Sequence, residues 1–574
     1  MLNRYYEDEL TKLRTLAAEF SKANPALAPM LSGMSADPDV ERLLEGVAFL
    51  TGMARQKLDD EFPEFVQEIA NLLFPHFLRP VPATSVVAFL PRGAQMETVL
   101  IPAGTELGSL PVDGTPCVFR TTQDVEAVPV VLQNAGLSTE VGMPPRLSFD
   151  FVSAGVDVSQ LAISKLRLFL AGGYSEAAKV MLLLCKYVLT VRLECGTQVI
   201  ELGAGCLRAS GFDNALLDYP GNAFPGYRVL QEFYVQPEKF LFVDIEGLER
   251  LRGCGKNNRF RIVCQLSQVP SWMSEIKTGD FMLNVTPVIN LFSRSAEPIS
   301  HEHRVSEYRV VPEAQEREHY RVFSVDQVIG YQQGVAQQRP YLPFGQIGTD
   351  GLLVKRTFRT TIRPATIGAG TDTYMSLTYP PEDQLISETL SISLTCTNHN
   401  LPVSLKIGDV SQPTSTSPDR MSFSNIRSLT APLDPPLGET LLWRLISHVS
   451  LNFLSLADAN NLRTLLGIYI FSERNEISLD AANRRRIDGI QSVEVTRDTR
   501  LVGRGSLMRG QRIVLKCRLD FYAGEGDMFM FGSVIERFLA NYAPINSYTR
   551  VEMVDVFSGV SFQWPPRLGN QILL

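Results

Sequence analysis

The sequence of 574 residues lacks a long apolar run and an obvious targeting segment. Its strongest apolar stretch, residues 180–185, is enclosed by Lys179 and Lys186, whereas a membrane-spanning helix needs about 18 or more apolar residues. The opening residues, MLNRYYEDE, are too acidic and too polar for a secretory signal. We therefore expect a cytoplasmic protein that does not insert directly into a membrane.

Cysteine and basic residues are too scarce for several other protein classes. The eight cysteines include no Cys-x-x-Cys pair, which argues against a disulfide framework and a zinc ribbon and predicts reduced thiols. Lys and Arg total 54 against 62 Asp and Glu, so the net charge is −8. A protein whose main ligand is nucleic acid usually carries a basic face or stripe, so we expect no nucleic-acid partner.

Motifs for catalysis and for cofactor binding are equally sparse. No phosphate loop and no His-Glu-x-x-His helix occur, and Gly203-Ala204-Gly205 lacks the third glycine of a dinucleotide fingerprint. Of the six histidines, His301 and His303 would share a face of a strand and could hold a metal, as in a β-rich metal-dependent hydrolase. The other interpretation of this segment is a polar, solvated strand edge. We predict no enzymatic activity, no cofactor and no metal site, and the hydrolase stays the alternative.

About the first eighty residues follow a helical pattern. Apolar residues recur every three or four positions from Tyr6 to Phe20, which predicts a helix with a narrow apolar seam. Asp37-Pro38 predicts the start of a second helix, and a short third helix is expected over residues 63–73. One helix cannot bury its own stripe, so another element, from this chain or from a partner, must cover it. The residues predicted to bind partner helices are Tyr6, Leu10, Leu13, Ala17, Phe20, Val40, Leu44 and Val47.

After Pro80 the pattern changes to short strands bounded by Gly and Pro, which number 41 and 35. Helices return after Pro435, where we expect Trp443 and Phe538 in the core of the last domain. The predicted fold class is α+β, mainly β, and multidomain, with candidate hinges near residues 80, 305 and 435. The expected segments are 1–82 (N-terminal helical), 83–305 (β-rich with an inserted helix), 306–432 (β-rich) and 433–574 (α+β).

Several motifs, in order along nearly the whole chain, are specific enough to indicate a family. They are residues 5–10 (YYEDEL), 37–46 (DPDVERLLEG), 71–75 (NLLFP), 225–233 (PGYRVLQEF), 237–242 (PEKFLF), 286–292 (TPVINLF), 396–402 (CTNHNLP), 443–448 (WRLISH) and 532–538 (GSVIERF). With these motifs the chain resembles TssF, also called ImpG or VasA, the baseplate subunit family of type VI secretion systems. His399 departs from the family pattern, in which a basic residue is more common. A shorter likeness, IPAGT at residues 101–105 followed by FRTT at 119–122, resembles baseplate wedge proteins of contractile-tailed phages.

The resemblance implies a structural role and not an enzymatic one. It implies a wedge made with TssG, TssK and TssE, with two copies of TssF per TssG, and six wedges around the VgrG spike. The sheath and the Hcp tube, which the chain would meet only indirectly, grow from this baseplate at the inner face of the cell envelope. The helical segment would join a core bundle with TssG and the second TssF copy. A contractile phage-like tail is the alternative setting, and glycan binding is disfavoured because the chain has only three tryptophans.

Overall fold

The chain forms two compact units, each made of two stretches of sequence. The first unit comprises Met1–Leu78 and Pro436–Trp443, and the second comprises Arg79–Pro435 and Arg444–Leu574. A membrane-spanning candidate is absent from the helices of the described ranges. The computed structural model describes residues 2–24, 38–93, 97–140, 142–221, 223–254, 257–332, 334–335, 338–344, 356–365, 370–380, 387–450, 458–470, 477–502 and 506–569.

The first unit is built on two helices, α1 (Leu2–Ala23) and α2 (Pro38–Leu73). Helix α2 begins at Pro38, as predicted, because proline at the first helical position needs no N–H partner. The prediction of a separate third helix from Pro63 is wrong, since α2 continues through this position for 36 residues. A proline removes one backbone hydrogen bond, and the uninterrupted apolar pattern on both sides favours a single helix. Helix α2 ends at Leu73, ahead of Pro75, which opens a 3₁₀ turn.

The second unit contains the remaining helices of the described ranges. Helix α3 occupies the place of the predicted inserted helix and continues as a π-helical turn, Leu183–Tyr187. The N-terminus of α6 is capped by Asp458, whose carboxylate accepts hydrogen bonds from the N–H groups of Asn460 and Asn461. These helices are α3 (Tyr174–Leu182), α4 (Pro225–Val235), α5 (Glu439–Ser450, which starts in the first unit), α6 (Ala459–Ile468), α7 (Ile477–Asp488) and α8 (Glu525–Tyr542).

One antiparallel sheet joins strands that are far apart in sequence. Its strands are β1 (Thr84–Pro91), β3 (Glu106–Val112), β4 (Thr115–Thr121), β15 (Val285–Ile289) and β24 (Met421–Asn425). Their order is β24-β1-β15-β4-β3. A small two-stranded sheet pairs β2 (Val99–Ile101) with β5 (Val125–Ala127). Phe89, Phe119 and Phe423 fill the core on the face of the larger sheet.

Two further antiparallel sheets lie between residues 130 and 282. The first contains β6 (Val130–Ser138), β7 (Arg146–Ser153), β9 (Val188–Cys195), β10 (Gln198–Glu201) and β13 (Arg259–Leu266) in the order β10-β9-β13-β7-β6. The second contains β8 (Lys165–Leu170), β11 (Leu207–Ala209), β12 (Phe242–Glu246) and β14 (Phe281–Met282) in the order β11-β12-β8-β14.

The largest sheet occupies the middle of the chain. Its strands are β16 (Phe292–Ser295), β17 (Ile299–His301), β18 (Glu307–Val310), β19 (Arg321–Tyr331), β20 (Gln338–Pro343), β21 (Thr357–Pro364), β22 (Thr371–Thr378) and β23 (Glu388–Thr397). The order is β16-β23-β19-β20-β21-β22-β18, and β17 pairs with β23. Only the β20–β21 pairing in this sheet is parallel within the described residues.

The C-terminal region combines helices with a final mixed sheet. This sheet contains β25 (Ile490–Val502), β26 (Ser506–Cys517), β27 (Ser547–Asp555), β28 (Ser561–Gln563) and β29 (Arg567–Leu568). Its order is β25-β26-β27-β28, with β29 on β27, and α8 connects the parallel strands β26 and β27. The structure therefore confirms an α+β fold that is mainly β. The division into four segments stays a prediction.

The two aromatic residues predicted in the C-terminal core differ in outcome. Phe538 is buried between Tyr227 and Tyr542, at ring-centroid distances of 5.9 and 5.1 Å. Trp443 is 67% exposed, so its assignment to the core is wrong. Helix α5 is apolar on two sides, and its buried side carries Leu441 and Leu445, while Trp443 lies on the other side.

Candidate partner interface

Helices α1 and α2 run antiparallel and approach closely at Gly52. A Cβ atom at this position would lie only 3.2 Å from the backbone nitrogen of Tyr6 and 3.3 Å from the carbonyl carbon of Tyr5. Ala48, one turn earlier on α2, is fully buried, and Leu10 on α1 is 8% exposed. Small residues on one line of α2 thus let the two backbones come together.

Ion pairs at both ends of the contact set the antiparallel register. Arg14 on α1 donates to the Glu41 carboxylate on α2, with Nε 2.9 Å from Oε1. Arg55 on α2 donates to Glu9 on α1 at 2.6 Å, and Lys12 donates to the same carboxylate at 2.9 Å. Hydrogen bonds from Lys12 and then from Arg55 hold the pKa of Glu9 below its ordinary value. These pairs are exposed, so they specify the alignment of the helices more than they stabilise it.

The predicted partner-binding residues fall into two groups. Leu10 is buried, and Tyr6, Leu13, Ala17, Val40 and Leu44 are half-buried in the chain itself. Phe20 and Val47 are exposed, at 52% and 37%. Part of the seam is therefore occupied within this chain, and the outer part is open. The assignment of these residues to a partner stays a prediction.

An apolar stripe of exposed residues follows the outer side of α2, and of its five residues the predicted partner-binding set includes only Val47. Leu43, Val47, Leu50, Phe65 and Leu72 lie within about 60° of one another around an ideal helix of 3.6 residues per turn. Their exposed fractions are 68%, 37%, 67%, 59% and 73%. The five residues form two exposed groups, Leu43 to Leu50 and Phe65 to Leu72, separated by about 22 Å along the helix at 1.5 Å per residue. The periodic pattern of α2 was visible in the sequence, but only packing shows which of its two apolar lines faces α1.

Other large apolar side chains of α1 and α2 are exposed as well. Soluble proteins rarely expose contiguous apolar patches beyond a few hundred Å² unless the patch binds something, and a helix that is apolar on several sides is usually buried in an assembly. We call the stripe and its flanking residues the open helical face. The flanking residues are Leu16, Phe49, Met53 and Leu73.

The histidine pair of the alternative hydrolase hypothesis is engaged by tyrosines. His301 Nδ1 lies 2.8 Å from the Tyr308 hydroxyl and His303 Nδ1 lies 2.8 Å from the Tyr379 hydroxyl. His301 is 2% exposed, so the interpretation of this segment as solvated is wrong for that residue. Burial, with a smaller effect from His303, lowers the pKa of His301 to about 4. No group of three or more His, Cys, Asp or Glu side chains suited to a metal occurs in the described ranges.

The cysteines are poor candidates for nucleophiles. All eight are free thiols, and only Cys185 is exposed as a residue. Burial raises the pKa of Cys117 to about 11 and that of Cys264 to about 12. Because the thiolate is the reactive form, these two groups are almost entirely unreactive thiols near neutral pH.

Comparisons with known proteins agree along the whole chain. A family model described as "Type VI secretion system, TssF" matches residues 1–571. The type VI secretion system component TssF1 of Pseudomonas aeruginosa is 31% identical over 622 aligned positions, which cover 99% of both proteins. A chain in the cryo-electron microscopy structure of the type VI TssK-TssF-TssG baseplate subcomplex is 30% identical with a TM-score of 0.79, covering 92% of this chain and 98% of that one. A chain of a type VI baseplate complex is 25% identical with a TM-score of 0.60, and both chains are covered completely.

Proposed function

The chain belongs to the TssF family of the type VI secretion system, and we propose that it is a structural baseplate subunit that assembles with TssG and TssK. The similarity to a chain of the TssK-TssF-TssG subcomplex supports these two partners. The family resemblance adds a second copy of TssF and TssE as direct partners, and VgrG, Hcp and the sheath as indirect ones. In this proposal the subunit works in the cytoplasm, at the inner face of the cell envelope, as part of the machine that delivers effectors by contraction.

The observation that carries the proposal is the open helical face. Burying a fully exposed leucine side chain is worth about 1.5–3 kcal/mol, and Leu43 and Leu50 are each about two-thirds exposed. A partner that supplies apolar helices would recover this free energy at the two exposed groups of the stripe. In the proposed assembly, helices of TssG and of the second TssF copy pack on this face, which includes Val47, and also contact Phe20 on α1.

The same proposal assigns no catalytic step to the chain. His301 and His303 are hydrogen-bonded to tyrosine hydroxyls, and Cys117 and Cys264 are protonated near neutral pH. The subunit therefore acts through surfaces that hold partners in position. We propose that the candidate hinges near residues 80, 305 and 435 let its two copies occupy different positions in one wedge.

Co-expression with a TssG partner, followed by size-exclusion chromatography with mass determination, tests the assembly. We expect a stable complex with two copies of this chain per TssG. Leu43→Asp and Leu50→Asp should each weaken the complex at least about thirtyfold, because about 2 kcal/mol of apolar burial is lost and a carboxylate is placed in the contact. Both sites are exposed in the free chain, so its circular dichroism should not change.

Val305→Asp is the matched control, since Val305 is 57% exposed outside the helical pair. It should leave the complex at wild-type affinity. If Leu43→Asp and Leu50→Asp both behave like Val305→Asp, the open helical face is not the contact. A folded wild-type chain that does not bind TssG at all would overturn the assembly proposal itself.

A further inference from the structure

An arginine-rich cavity of about 710 Å³ lies in the second unit, remote in sequence from the open helical face. Its walls come from β11 and the turn after it, the first turn of α4, the end of α8, and β29. Four arginines line it together with apolar side chains such as Leu207, Val229 and Ala540. The arginines are Arg208, Arg228, Arg537 and Arg567.

The carboxylates around this cavity are too few for its cations. Glu232 is 1% exposed and is shared by Arg228, at 3.8 Å, and by Lys239. Glu536, also 1% exposed, is shared by Arg567, at 2.5 Å, and by Arg537, at 3.6 Å. Around these two carboxylates stand three arginines and Lys239, so the cations exceed the carboxylates by two charges before the rim is counted.

The rim of the cavity lowers this excess to one positive charge, because it carries two carboxylates and one further arginine. Arg208 is half exposed, is paired with Asp213 and lies 3.7 Å from Glu246. One positive charge therefore remains unbalanced around the cavity. Asp213 also lines the cavity and acts on Arg537.

Two of the guanidinium groups that line the cavity have features that favour the binding of an anion. Arg537 stacks on Phe212, with its guanidinium carbon 3.5 Å from the ring centroid, so its orientation is fixed. Burial, and then the charge of Arg567, lowers the pKa of Arg537 to about 10, although the charges of Glu536 and Asp213 act in the opposite direction. The Nε atom of Arg228 is buried and finds no hydrogen-bond acceptor among the described residues. An unsatisfied donor of this kind costs free energy, which charge-assisted hydrogen bonds from the rest of the Arg228 guanidinium to a bound carboxylate would offset.

We propose that this cavity binds an acidic peptide segment of a partner protein, whose carboxylates pair with Arg228 and with Arg537 and Arg567. Clusters of arginine commonly recognise acidic or phosphorylated motifs. The volume equals that of more than twenty water molecules at about 30 Å³ each, which suits several residues better than one inorganic anion. The apolar walls would contact the aliphatic parts of the same segment. The proposal goes beyond the baseplate role and does not depend on the open helical face.

Fluorescence anisotropy with the full chain at low salt tests the proposal. The probe is a labelled pool of octapeptides made of glycine and leucine. Each peptide contains two glutamates, and the pool covers every pair of positions. The comparison pool has glutamine in place of each glutamate. We expect saturable binding of the glutamate pool only, and at least a tenfold loss of affinity for Arg228→Gln and for Arg567→Gln. Arg146→Gln is the matched control, because Arg146 is 40% exposed and lies outside the cavity; it should bind as the wild type does.

Glu536→Gln gives a change of the opposite sign. It removes one of the two buried carboxylates, so the excess positive charge grows and the glutamate pool should bind several-fold more tightly, a gain that a purely structural role for Glu536 would not produce. Equal binding of the two pools would overturn the proposal, as would arginine variants with wild-type affinity. Binding of inorganic phosphate by the wild type, with no preference for the glutamate pool, would also overturn it and identify a phosphate site. Thermal unfolding of each variant, followed by circular dichroism, confirms that the compared proteins are folded.

Discussion

The close approach of α1 and α2 at Gly52 leads to a prediction in which two glycines of one helix respond in opposite directions. Replacing glycine by alanine inside a helix ordinarily stabilises it by about 0.8–1.0 kcal/mol. Gly46→Ala should show this gain, since nothing lies within 4 Å of the added methyl group. Gly52→Ala places the methyl group 3.2–3.3 Å from backbone atoms of Tyr5 and Tyr6. Backbone atoms cannot rotate away as a side chain can, so the helices must separate.

The magnitude follows from setting these two effects against each other. Overpacking of a tight contact costs about 1–3 kcal/mol, so Gly52→Ala should be between neutral and about 2 kcal/mol destabilising after the gain in helix propensity. The difference between the Gly52 and Gly46 variants is then about 1–3 kcal/mol. This corresponds to a difference of about 5- to 150-fold in the opening equilibrium of the helix pair.

Hydrogen exchange of the full chain, followed by mass spectrometry, measures this opening locally. Peptides from α1 should exchange faster in Gly52→Ala than in the wild type, and peptides from α2 should exchange more slowly in Gly46→Ala. Equal protection of α1 in the two variants would refute the reasoning, because it would mean that the helices do not meet at Gly52.

Two further predictions concern burial in the second unit and on α5. Phe538→Ala should lower the free energy of unfolding by about 3–5 kcal/mol, as expected for a large buried aromatic residue, whereas Trp443→Ala should change it by less than about 0.5 kcal/mol. Urea unfolding of both variants measures these changes. Equal losses would contradict the burial described for these residues. Burial, and then the charge of Arg444, lowers the pKa of His448 to about 3, well below its unfolded value near 6.5. The unfolded chain therefore binds more protons than the folded one below pH 6.5. The free energy of unfolding contributed by neutral His448 is fully present above pH 6.5 and is lost as the pH falls toward 3, at up to about 1.4 kcal/mol per pH unit. His448→Gln should flatten the fall in stability between pH 6.5 and 4, and an unchanged pH dependence would show that His448 does not titrate in this way.

The first unit shows how far a periodic pattern carries a sequence prediction. The spacing from Tyr6 to Phe20 predicted α1, and Asp37-Pro38 predicted the start of α2, because both signals are local. The pattern could not show that α2 passes through Pro63, because a helix can continue through a proline at the cost of one backbone hydrogen bond. It also could not rank the two apolar lines of α2, because the choice depends on the small side chains that α1 approaches.

In the second unit, local sequence patterns predicted individual strands but not how these strands pair. Individual strands could be recognised from alternation and turn residues, but β1 pairs with β24, about 330 residues later in the chain, and no local signal encodes such a partner. Trp443 was placed on the wrong side because α5 is apolar on both sides. The arginine cavity draws on β11, α4, α8 and β29, so its charge excess exists only after these elements come together.

The open helical face also has a consequence for the subunit before it is incorporated. In a newly made chain this face exposes leucine, phenylalanine and methionine side chains. They can associate with any other apolar surface, including that of an identical chain. The time that the free subunit spends at high concentration therefore sets its risk of aggregation. If a partner covers this face as proposed, synthesis of the two proteins together would shorten that time and protect the yield of complete assemblies.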